Sequence, residues 1–177
     1  KTLHWDGSTW NIKGFDSSKL FDLQTFRANT LWDFYQLLLS KADNPRVCLF
    51  RNIVIGDKPL RSVRRLTRPR ENHAATLQDI PTRLIIADID DGDVPSDVML
   101  KGPEAACLYI RDTLLPDEFK GASAVWQATS GLGIKPGPRV RLFFASERPV
   151  SIVQAKAWLK GIADSAPFNG ATPTYIA

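Results

Sequence analysis

The segment Leu84-Ile85-Ile86-Ala87-Asp88-Ile89-Asp90 constrains this chain more than any other: it is an apolar run that ends in two carboxylates one residue apart. In an extended strand, residues i and i+2 share a face, so Asp88 and Asp90 project together while Ile85, Ala87 and Ile89 point into a core. Two ionised carboxylates held side by side repel each other, and a hard divalent cation such as Mg²⁺ or Mn²⁺ relieves that repulsion. The segment also reads as a strand entering an acidic turn, because Asp91-Gly92-Asp93 follows and Asp-Gly is ordinary turn chemistry.

The chain has 177 residues, 44% hydrophobic and 24% charged, which suits one globular domain or two small subdomains sharing an interface. No apolar run approaches the roughly 18 residues of a membrane span and no signal-peptide pattern opens the sequence, so a soluble, cytoplasmic protein without a membrane partner is expected. A four-ligand zinc site would need every Cys and His present (Cys48, Cys107, His4 and His73), so two buried structural thiols are expected instead.

Charge is unevenly placed. Between Arg51 and Arg70 there are seven bases (Arg51, Lys58, Arg61, Arg64, Arg65, Arg68, Arg70) against one acid, Asp57, a local balance of +6. Between Asp88 and Glu118 nine acids face two bases, Lys101 and Arg111. An acidic centre beside a basic strip suits a polyanionic substrate handled through metal ions, and a solvated basic loop is the other reading of the strip.

Patterning predicts alternating strands and helices, hence an α/β or α+β fold with a sheet core. A hairpin is expected over Thr2 to Lys13 around Asp6-Gly7, and strands at Leu20–Phe26, Val47–Phe50, Ile53–Ile55, Ala124–Ala128 and Val140–Phe144. Leu31, Phe34, Tyr35, Leu38 and Leu39 recur at helical spacing behind Asn29 or Thr30 as cap. Pro103 opens a second helix, and Ser151 with Gln154 forms a capping box for a third, running to about Ile162. Of the five tryptophans, Trp5, Trp10, Trp32, Trp126 and Trp158, most sit in apolar patterns and are expected in the core.

The loop Thr129-Ser130-Gly131-Leu132-Gly133-Ile134-Lys135-Pro136-Gly137 matches neither a P-loop nor a dinucleotide fingerprint. Its neighbours give it meaning: Ser130 offers a hydroxyl, Lys135 and Arg139 flank the turn, and Arg141 is expected two residues beyond Arg139 on the same strand face. Guanidinium groups match phosphate oxygens bidentately, so this set beside an acid pair would hold a triphosphate. A hairpin with solubilising charges is the plainer alternative.

In order along the chain, the hydrophobic-Asp-x-Asp strand, the Ser-Gly loop leading to Arg139-Val140-Arg141-Leu142-Phe143-Phe144, and a later aspartate resemble the three motifs of the archaeo-eukaryotic primase superfamily. The resemblance is to primase-polymerase domains of phages, plasmids and other mobile elements, and covers roughly Arg51 to Ala177. Asp88 and Asp90 match the first motif. Ser130 and Arg141 fall where the second has a serine and then a basic residue, commonly histidine. Asp164 matches the third, followed by Tyr175-Ile176-Ala177 where members carry Tyr-x-Ala, with Thr172 where glutamine is common.

The resemblance implies template-directed nucleotidyl transfer: synthesis or extension of primers on single-stranded DNA from nucleoside triphosphates, for a mobile element or virus in a prokaryotic cell, with a replicative helicase domain or protein as partner. Asp88, Asp90 and Asp164 would be catalytic ligands of two Mg²⁺ or Mn²⁺ ions, Ser130, Lys135, Arg139 and Arg141 would bind the nucleotide, and Arg61, Arg64, Arg65 and Arg68 would hold the template. It also implies a two-part core, with a smaller mixed subdomain over about residues 1–80 and an RRM-like catalytic subdomain over 81–177. Two rivals use the same features differently: a non-catalytic RRM-like module binding single-stranded nucleic acid or an origin, its aromatics serving as stacking platforms, and a metal-dependent nuclease, for which neither His4 nor His73 supplies an obvious base.

Overall fold

The computed structural model describes residues 2–13 and 19–176, with the backbone alone for residues 2–5, 10–13 and 57. It is a mixed α/β fold of the α+β kind, with every pairing between its strands antiparallel. The first two strands, β1 (Thr2–Trp5) and β2 (Trp10–Lys13), form the expected hairpin. Its turn is held by Asp6, whose carboxylate accepts from the Ser8 and Thr9 amides.

The N-terminal segments pair in short ribbons: β3 (Phe21–Leu23) with β6 (Leu60–Val63), and β5 (Ile53–Val54) with β7 (Leu77–Gln78). Leu23, Val54 and Leu77 form a small core beneath them. Helix α1 (Leu31–Lys41) starts where its sequence dictates, because Thr30 Oγ1 accepts from the Asp33 amide and the Asp33 carboxylate accepts from the Thr30 amide.

The centre is a three-stranded sheet in the order β8 (Thr82–Ile89), β10 (Val140–Val150), β9 (Ala124–Ala128). Helices α2 (Ser96–Met99) and α3 (Pro103–Tyr109) connect β8 to β9, and α3 continues into a π-helical turn over Ile110–Leu114. Helix α4 (Ile152–Leu159) follows β10, and the Ser151–Gln154 capping box opens it as expected. It ends at Leu159, before Ile162.

Strand alternation divides the sheet into two apolar faces. On one face, Ile85, Ala87, Ile89, Leu142 and Phe144 pack against Cys107, Ile110, Ala155 and Leu159. Ile86 and Phe143 pack on the opposite face against Phe34 and Leu38 of α1 and against Ile176. The chain end reaches that face because β11 (Thr174–Tyr175) pairs with β4 (Cys48–Leu49). Arg51 adds a polar tie: although it belongs to the basic run in sequence, it is buried, and its guanidinium donates to the carbonyls of Leu84 and Val150.

Two expectations about burial are corrected. Trp32 is 67% exposed on the outer side of α1, stacked at a tilt on Tyr35, and Trp126 and Trp158 are also exposed; the side chains of Trp5 and Trp10 lie outside the described residues. Periodicity marked Trp32, Trp126 and Trp158 as apolar but did not show how little covers Trp32 or how incompletely the other two are covered. Of the two thiols, only Cys107 is fully buried, with Cys48 half-buried; burial pushes them up to about 12 and about 11 respectively. Among the described residues no helix is long and apolar enough to cross a membrane.

Phe143 is fully buried between α1 and the sheet, its ring 5.2 Å from that of Phe34. Phe143→Ala is expected to cost about 3–5 kcal/mol, read as a lower urea midpoint with an unchanged slope. A loss under about 1 kcal/mol would mean that α1 does not depend on this contact.

Candidate active site

Strand register builds the site. Arg141 stands opposite Asp88 on one neighbouring strand and opposite Gln127 on the other. An acid, a base and an amide therefore form one row across the sheet, adjacent to the row of Ile86, Phe143 and Val125 that α1 covers. The C-terminal strand lies against this polar row: Arg141 Nη1 donates to the Tyr175 carbonyl at 2.7 Å, and Gln127 Nε2 donates to the Ile176 carbonyl at 2.7 Å.

Beyond the end of β8, the loop from Thr129 to Arg139 closes over Asp90. Its base is fixed by the Thr129 amide donating to the Arg139 carbonyl at 2.8 Å. Gly137, at φ 92°, approaches so closely that a Cβ would stand 2.3 Å from the Asp90 carbonyl oxygen. Arg139 does not share the strand face with Arg141, contrary to expectation. It precedes β10 with φ 48°, and this left-handed turn after the buried Pro138 sends its side chain back toward the β8 end. Arg139 Nη1 meets Asp90 Oδ2 at 3.0 Å, Nη2 meets Asp91 Oδ1 at 3.4 Å, and Nε donates to the Pro136 carbonyl at 2.8 Å.

These elements enclose a cleft of about 260 Å³ lined by Asp88, Asp90, Asp164, Ser130, Lys135, Arg139 and Arg141. All seven candidate catalytic and nucleotide-binding residues thus meet in one place. Asp164 arrives from the segment after α4; its amide donates to the Asp88 carbonyl at 2.8 Å, and its carboxylate accepts from the Ala166 amide. Gln127 and Tyr175 also line the cleft, and sequence reasoning did not place them among the site residues. The signal for Gln127 was cross-strand pairing with Arg141, which becomes readable only once the register is known.

The Asp88 carboxylate is the most confined group. Its side chain is 14% exposed, and Oδ2 accepts from Arg141 Nη2 at 2.6 Å, Arg141 itself being 11% exposed. Oδ1 is buried with no hydrogen-bond partner. Burial pushes the Asp88 pKa up, Arg141 draws it partly back, and the charges of Asp90 and Asp164 push it up again. A buried carboxylate oxygen without a donor, beside two further acids, fits a hard cation. Among the described residues no three acid, His or Cys side chains form a metal cage by themselves.

The arginine strip does not line the cleft. Arg61 pairs with Asp22 at 2.7 Å and Arg64 with Glu71 at 2.9 Å, both at the surface. Arg65 stacks over the Phe21 ring at 5.2 Å, and Arg68 is exposed. Exposed pairs of this kind contribute little to stability.

Gly137→Ala is expected to destabilise the protein by about 1–3 kcal/mol through φ and the clash with Asp90. Gly133→Ala provides the control, since Gly133 shares a positive φ but faces open space. Equal urea midpoints for the two variants would show that the loop is not pressed onto Asp90.

Comparison with protein-family models, with curated proteins and with solved structures returned no match for this chain.

Proposed function

We propose that this chain is a catalytic domain of the archaeo-eukaryotic primase type, a DNA-dependent nucleotidyltransferase that makes or extends primers on single-stranded DNA. One observation carries the reading: the cleft wall holds three carboxylates, Asp88, Asp90 and Asp164, against three cationic groups, Lys135, Arg139 and Arg141. The ligand that satisfies both sets at once is a polyphosphate complexed with divalent metal. The strand order gives partial support to the implied RRM-like half: β8-α3-β9-β10-α4 with β10 between β8 and β9 matches the β-α-β-β-α part of an RRM, while its fourth strand has no counterpart in this three-stranded sheet, β11 pairing with β4 instead. The smaller N-terminal half would comprise the short ribbons and α1.

In this reading Asp88, Asp90 and Asp164 hold Mg²⁺ or Mn²⁺, which when bound lowers the pKa of the attacking 3′-hydroxyl and neutralises the leaving pyrophosphate. The residues of the chain position the rest. Arg139 and Arg141 present guanidinium groups to phosphate oxygens, Lys135 adds a point charge, and the Ser130 hydroxyl donates a hydrogen bond. Gln127 and the Tyr175 carbonyl hold Arg141 in orientation. Arg61, Arg64, Arg65 and Arg68 take template phosphates without reading sequence. A helicase domain or protein supplies unwound template, and a mobile element or virus is the source.

The exposed Trp32, Tyr35 and Trp126 favour a second reading, a non-catalytic module that stacks single-stranded bases. That reading gives no role to the buried, unpartnered Asp88 oxygen.

Labelled-nucleotide incorporation on unprimed single-stranded DNA, in Mg²⁺ and in Mn²⁺, separates the two. Asp88→Asn is expected to lower incorporation at least about a hundredfold, an effect of about 3 kcal/mol, while leaving DNA affinity within about twofold. Undiminished synthesis by the variant would remove the assignment, and DNA binding with no synthesis by the wild type would favour the module. Arg64→Gln with Arg68→Gln should reduce the log–log salt slope of single-strand binding by about 1.4, two phosphate contacts' worth. An unchanged slope would make the strip a solvated loop.

A further inference from the structure

The groups a metal would need and the groups a triphosphate would need are already joined to one another. Arg141 Nη2 lies 2.6 Å from Asp88 Oδ2, and Arg139 Nη1 lies 3.0 Å from Asp90 Oδ2. Neither arginine is loosely placed. Arg141 is also fixed by the Tyr175 carbonyl, and Arg139 by the Pro136 carbonyl and a left-handed backbone. Lys135 differs from both, being exposed and without an acidic partner in the cleft.

Removing either side of the inner pair alone is costly, because Asp88 and Arg141 are nearly enclosed and the remaining charge would be buried without a partner. A metal ion drawn to Asp88 strands Arg141, and a triphosphate drawn to Arg141 strands Asp88. When both ligands arrive, every charge regains a partner.

We infer that Arg139 and Arg141 are exchangeable counter-ions for the acid pair, so that the divalent cation and the nucleoside triphosphate bind this cleft with positive coupling through a swap of ion pairs. The inference rests on the nucleotidyl-transfer reading above. It adds that the empty cleft is self-neutralised and admits the metal poorly until a polyphosphate has engaged the arginines. By linkage, each ligand raises the other's affinity by the same factor.

Two measurements test the exchange without using activity. In the first, Mn²⁺ is titrated without nucleotide and followed by the electron-paramagnetic-resonance signal of the free ion. Arg139→Gln/Arg141→Gln should bind Mn²⁺ about tenfold more tightly than the wild type, a factor within the usual range of such couplings. Equal affinities would overturn the inference.

The second uses the wild type alone, so a variant that fails to fold does not decide the matter. The ¹⁵N–¹H signals of the Arg139 and Arg141 Nε groups are recorded with a non-hydrolysable deoxynucleoside triphosphate in EDTA, and binding is confirmed by calorimetry. Both signals should move when nucleotide binds. Bound nucleotide with both signals unmoved would overturn the exchange and the phosphate role of the two arginines, and leave nucleotidyl transfer with other phosphate contacts standing. No nucleotide binding, with or without Mn²⁺, would overturn that reading and the exchange together.

Discussion

Burial of the Asp88 carboxylate against Arg141, at the edge of an apolar sheet face, is the interaction on which the site depends. A carboxylate taken out of water costs several kcal/mol unless it is paired and hydrogen-bonded, and here one oxygen is paired and the other is not. Cross-strand register fixes the Arg141 backbone, and the Tyr175 carbonyl and Gln127 hold its guanidinium beside Asp88. The chain thus holds a buried carboxylate, paired through one oxygen and unpartnered at the other, in a defined place.

The rest of the fold keeps that charge in position. Phe34 and Leu38 press on Ile86 and Phe143 one row away, so the sheet under the polar row is packed and stiff. The pairing of β11 with β4 brings the chain end onto the same face, and Arg51 ties the segment after β4 to β8 and β10. On the open side, the Gly137 approach fixes the loop against Asp90 and orients Arg139 toward it. Long-range pairings, rather than any one motif, make the cleft.

Local rules made part of this legible in the sequence. The caps at Thr30 and Ser151, Pro103 at a helix start and the Asp6-Gly7 turn each depend on neighbours within a few residues, and each has its expected structural counterpart. Asp88 lies in β8 while Asp90 falls just past the strand's end at Ile89, and both line the cleft. Features that depend on distant segments were not legible. Arg51 reads as one more base in a charged run, yet its guanidinium is claimed by carbonyls from two strands far along the chain. Arg139 reads as a strand residue, but the turn through Gly137 and Pro138 gives it a left-handed backbone. Trp32 and Trp126 carry apolar signatures, and whether an apolar position is covered is decided by what packs over it, which periodicity does not report.

The central claim is that the acids of this cleft hold divalent metal while its arginines hold polyphosphate. The most direct measurement is anomalous diffraction at the manganese edge from crystals grown with Mn²⁺ and a non-hydrolysable deoxynucleoside triphosphate. The account predicts an anomalous peak against Asp88 and Asp90, with phosphate density against Arg139 and Arg141. Phosphate density elsewhere, or Asp88–Arg141 and Asp90–Arg139 pairs intact with no peak between the acids at saturating ligand, would contradict it.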